Sequence, residues 1–173
     1  EALHYAAAHN GQPLALQYVT PLEDVPDFHS GYRLFSRATA ADVFLSEPLL
    51  AGCDEVAYYH RAWEAVRMVE ALKRAAPLAL ANRPPFEEQR ISSFARLDRS
   101  QLAADMIIWP CKRLAIPGPF VAQWLTNHLP RLLLGTLAPQ GRAELLAIRD
   151  LVLHAFDQPV PASQGEMIRL PFV

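Results

Sequence analysis

The stretch DEVAYYHRAWEAVRMVEALKRAA, residues 54–76, decides how this chain is read. Val56, Tyr59, Trp63, Val66, Val69 and Leu72 recur at the 3.6-residue period of a single helix face. His60, Arg61, Glu64, Arg67, Glu70, Lys73 and Arg74 fall largely on the opposite face, which predicts a solvated charged side. Glu70 precedes Arg74 by four residues, an orientation that adds about 0.3 kcal/mol to a helix. Asp54 is a competent N-cap, Lys73 and Arg74 suit the negative end of the helix dipole, and Pro77 stops the run. Such a helix spans about 33 Å, so the remaining elements are expected to pack on its apolar stripe. Trp63, in the middle of that stripe, is expected to be buried.

Working outward, the helical signal stays strong toward the C-terminus. Asp98-x-x-Gln101 is a capping-box variant ahead of LAADMIIW, which predicts a helix closing at Pro110. The proline-rich run WPCKRLAIPGP, residues 109–119, predicts a bent, extended path. Pro119 opens a helix through residue 129, Pro130 kinks or ends it, and RLLLGTL follows as a short second helix. Residues 140–156 form a third strong helix, with Leu145, Ile148, Val152 and Phe156 in line. Residues 86–97 fit a helix, and residues 91–97 equally a strand. On the N-terminal side, residues 1–10 read as a short helix, or the end of a longer one cut at the terminus, stopped by Asn10-Gly11. Thr39-x-x-Asp42 resembles a capping box opening a short helix through about residue 46.

The strand signal lies elsewhere. LALQYVT (14–20), YRLFS (32–36) and MIRLPFV (167–173) alternate in the two-residue period of a strand. Helices in the body with strands toward the ends predict an α+β chain. It is a single domain over residues 1–173, a helical bundle with a small antiparallel sheet built from the N- and C-terminal segments. The alternative is an all-α chain with these segments as extended arms.

With 51% hydrophobic and 20% charged residues, the composition supports a real core. A net charge of −2 gives no general attraction to nucleic acid or to anionic membranes, and no apolar run reaches the ~18 residues needed to span a bilayer. The excess of Arg (14) over Lys (2) points to a GC-rich, bacterial genome more than to a phosphate site. Cys53 and Cys111, 58 positions apart, make neither a zinc motif nor a redox pair, so both are expected as reduced thiols in a cytoplasmic setting. The chain opens on Glu1 rather than Met, which predicts a segment removed ahead of it.

Nucleotide-binding glycine loops, HExxH, GxSxG and CxxC are absent from the sequence. The remaining candidates for acid–base chemistry are His128 and the i,i+4 pair Asp150/His154, where a carboxylate one turn before an imidazole can orient it. Their ordinary alternatives are a solvated pair near a helix end and a histidine satisfying carbonyls freed by Pro130. His60/Glu64 repeats the same spacing. Arg113, with Lys112 and the arginines of residues 90–99, offers one basic patch, with Phe94 and Trp109 available for stacking.

The terminal strands offer a different chemistry. A strand edge presents unpaired amides and carbonyls to an extended partner. Gln17 and Ile168 sit mid-strand on these edges, with Tyr18 and Phe172 as anchors. The sequence therefore predicts a non-catalytic binding or partner subunit that recognises an extended peptide or joins a larger biosynthetic complex, without cofactor or metal. Its partner is a protein or peptide rather than nucleic acid or membrane, and self-association is left open. The competing reading is a small-molecule enzyme with a helix-lined pocket that uses His128, Asp150 or His154.

Overall fold

The computed structural model describes residues 1–11, 33–45, 62–74, 76 and 98–161. Six helices make up this part: α1 (Ala2–His9), α2 (Arg37–Leu45), α3 (Trp63–Lys73), α4 (Arg99–Arg113), α5 (Gly118–Gly135) and α6 (Pro139–Ala155). No strand occurs among the described residues, so the expected antiparallel sheet is not supported and the described architecture is helical. The strands expected over 14–20 and 167–173 lie outside the described residues. For the third, the physical reason is visible. A strand needs a ladder partner, whereas the Ser36 hydroxyl accepts from the Thr39 amide at 3.1 Å, so residues 33–36 of that stretch lead into a helix. Phe35 folds back edge-on against Phe44, with ring centroids 5.4 Å apart. Helix α2 therefore starts at Arg37, before the expected Thr39 cap.

Helix α3 realises the C-terminal half of the organising stretch; residues 54–61 lie outside the described residues. Val66, Val69 and Leu72 are buried as the stripe requires. Trp63 is only half-buried, because it stands in the first turn with the Arg67 guanidinium 3.2 Å from its ring centroid. The deeply buried tryptophan is Trp109, 2% exposed. The charged face also departs from expectation, since Glu64 and Glu70 are both buried.

The hub of the described core is α4 rather than α3. It packs chiefly on α6 and also on α3, while α5 packs on α6 and α2 on α3. Asp98 caps α4 by accepting from the Ser100 and Gln101 amides, as its sequence predicts. The helix then runs through Pro110 to Arg113 instead of closing there. A mid-helix proline removes one amide donor and crowds the turn before it, at a cost of about 3 kcal/mol. Burial of Trp109 and Cys111 on either side offsets that cost.

The expected bent path over 109–119 shrinks to one tight reversal. Ile116 N–H reaches the Cys111 carbonyl at 2.9 Å and Ala115 N–H the Lys112 carbonyl at 3.0 Å, the paired bonds of a Schellman stop. Ala115 takes the left-handed position at φ 55°, a place glycine usually fills. Helix α5 likewise continues through Pro130, joining two expected helices into one. Helix α6 matches its expected span within a residue and ends in a second Schellman stop at Asp157. At Gly118 the start of α5 passes so close to this stop that a Cβ would fall 2.8 Å from the Phe156 carbonyl.

Helix α1 closes the molecule. Its stop is the expected one, with Gly11 at φ 61°. Asn10 Nδ2 donates to the carbonyls of Leu114 and Ala115 at 2.8 and 3.2 Å, and the Tyr5 ring lies 4.5 Å from that of Phe120. Leu3 and Ala6 enter the main core beside Val69, Leu72, Ile108 and Val121.

Candidate functional site

Docking of α1 across the bundle leaves a groove of about 290 Å³ at its N-terminal end. One wall is Glu1, Ala2 and Leu3; the others come from α3 (Ala65, Val69), α4 (Met106, Ile107, Pro110, Cys111) and α5 (Phe120, Val121, Trp124), with Leu114 from the turn. The lining is apolar apart from Glu1 and the Cys111 thiol. Pro110 has no N–H to offer the Met106 carbonyl four residues back, so that wall lacks one helical donor. At the mouth, His128 Nε2 lies 3.0 Å from Glu1 Oε1 and the imidazole rests against Trp124, with centroids 5.1 Å apart.

Burial pushes the Cys111 thiol up to about 12, so this sulfur is a small apolar group and not a nucleophile. It is a free thiol, as expected; Cys53 lies outside the described residues. A maleimide pulse at pH 8 should label Cys111 at least about 100-fold more slowly in the native protein than in denaturant, read by peptide mass spectrometry. Comparable rates would mean that the thiol is accessible and the groove floor open.

At the C-terminal ends of α3 and α4 lies a partly buried ion cluster centred on Glu70. Arg113 approaches Glu70 side-on, Nε to Oε1 and Nη2 to Oε2, the latter at 3.1 Å, while Arg74 Nη1 reaches Oε2 at 2.6 Å. Burial pushes the Glu70 carboxyl up, but the hydrogen bonds and charges of Arg113 and Arg74 outweigh it and hold the group below its ordinary value. Burial, together with the Arg113 charge, holds the Lys73 ammonium below its usual range. Arg113, expected as a binding residue, is thus engaged in this cluster. Lys112 lies 5.8 Å over the Phe156 ring, and Trp109 is too deeply buried to serve as a stacking platform.

The three acid–base candidates do not converge. Asp150 accepts from Arg149 Nε at 2.6 Å, His154 is exposed on α6, and His128 pairs with Glu1 rather than with the carbonyls near Pro130. None of the three lines the groove or the second cavity, of about 310 Å³, between α2 and α3. No group of three His, Cys, Asp or Glu side chains that could hold a metal occurs among the described residues. Gln17, Tyr18, Ile168 and Phe172 lie outside the described residues, as do His60 and residues 90–97 of the basic patch. The groove itself was missed in the sequence; Pro110 inside an apolar run was its one local sign. No described helix is long and apolar enough to cross a membrane. No family model, curated protein or solved structure matches this chain significantly.

Proposed function

We propose that the chain is a non-catalytic partner protein whose groove beside α1 holds an apolar anchor of an extended segment from another protein. The observation that carries this reading is the concave apolar lining supplied by four helices. A volume of about 290 Å³ sits at the lower end of the ~300–1,000 Å³ of ligand sites, which suits a bulky side chain or two. A docked helix needs a longer channel with anchors on successive turns. A segment N–H donating to the Met106 carbonyl would fix the backbone, and the apolar walls would select Leu, Ile, Met or Phe at the anchor. The acid–base reading lacks a comparable support, because its three side chains share no cavity with one another.

Selection from a library of short random peptides tests the proposal. Selected peptides should share one bulky apolar residue, and Ile107→Asp should weaken them at least about tenfold while the helical circular dichroism is retained. Undiminished binding to that variant, or no selectable peptide, would remove the groove from consideration.

A further inference from the structure

The second cavity carries a ligand chemistry of its own. Trp63 and Arg67 stand one turn apart on α3, so they share a face, and Glu64 lies beside them. The Arg67 guanidinium sits 3.2 Å from the Trp63 ring centroid and 4.1 Å from that of Phe44. Two rings thus hold a fixed cation on the wall of a cavity of about 310 Å³, which Arg33, Phe35, Ala40 and Glu64 complete. Glu64 is 4% exposed, and its Oε2 is buried with no hydrogen-bond partner among the described residues. A carboxylate oxygen taken from water without a donor is costly, and the donor that suits it best is a cationic N–H.

We infer that this cavity binds a free α-amino acid with an apolar side chain: its ammonium on Glu64, its carboxylate on the Arg67 and Arg33 side, its side chain against Phe35 and Phe44. Glu64 and Arg67 are three residues apart on one helix, with Cβ atoms about 5–6 Å apart, a spacing that one molecule bearing both charges can bridge. A guanidinium has five N–H donors, so a ligand carboxylate adds to the contacts these arginines already make. Two guanidiniums disfavour a polyamine, and the buried carboxylate disfavours a simple anion. The edge-to-face pair of Phe35 and Phe44 supplies the apolar wall.

Titration calorimetry of the full chain with the common amino acids decides the matter. At least one apolar amino acid should bind saturably, and its N-acetyl and methyl-ester forms should each bind at least about tenfold more weakly. Glu64→Gln should show a similar loss for the free amino acid. The inference is overturned if no amino acid binds more tightly than about 10 mM, or if either blocked form binds as well as the free one. Because the blocked ligands leave the protein untouched, a variant that fails to fold does not decide the outcome.

Discussion

Truncating Glu70 to alanine is expected to lower the unfolding free energy by about 3–5 kcal/mol, because it strands the Arg113 charge in the interior. The side chains are 3% exposed for Glu70 and 16% for Arg113, so water cannot take the carboxylate's place without rearrangement. Arg74 is more exposed and can turn outward. The double replacement Glu70→Leu with Arg113→Met should recover most of the loss, since an apolar pair removes the orphaned charge along with its partner. Urea denaturation of the wild type and the two variants measures both effects; a double variant as unstable as the single one would mean that the cluster acts through something other than its charges. The pH dependence has a fixed sign. A carboxyl whose folded value lies below its ordinary 4.5 contributes its full stability above that pH and loses it as pH falls through the folded value. The difference between wild type and Glu70→Ala should therefore shrink in acid, and a constant difference would contradict the lowered value.

The second large effect separates the tryptophans. Trp109→Ala should cost about 3–5 kcal/mol through the cavity it leaves. Trp63→Ala should cost about 1–2 kcal/mol, chiefly the stacking of Arg67 on an exposed-edge ring. Equal denaturation midpoints, or the reverse order, would return the organising role to α3.

Elements with clear local signals were legible from sequence: Asn10-Gly11 for α1, Asp98 for α4, Pro119 opening α5 and the apolar line of α6. The prolines at 110 and 130 misled because a local rule counts the lost hydrogen bond and cannot count the burial on either side of it. YRLFS misled for the opposite reason: five alternating residues specify an extended segment, but only a partner makes it a strand. Glu70 was placed on a solvated face because its principal partner, Arg113, is 43 residues away, beyond any periodicity. The groove was not legible in advance: Pro110, which lines it, was read only as the end of a helix. The groove and the Trp63 cavity are each assembled from separated segments, which no local pattern announces.

The attachment of α1 has a thermodynamic consequence for whatever occupies the groove. Helix α1 is held in its docked form by Asn10, Tyr5, Leu3 and Ala6. Ala2 and Leu3 are also groove wall, which makes detachment of the helix and loss of the site one event. Apparent affinity is then the intrinsic affinity multiplied by the fraction of molecules with α1 in place. By reciprocity, an occupant shifts that population toward the attached form by as much as its own binding free energy allows. Substitutions at Asn10, which does not line the groove but holds α1 through the Leu114 and Ala115 carbonyls, thereby tune binding by changing how often the site exists.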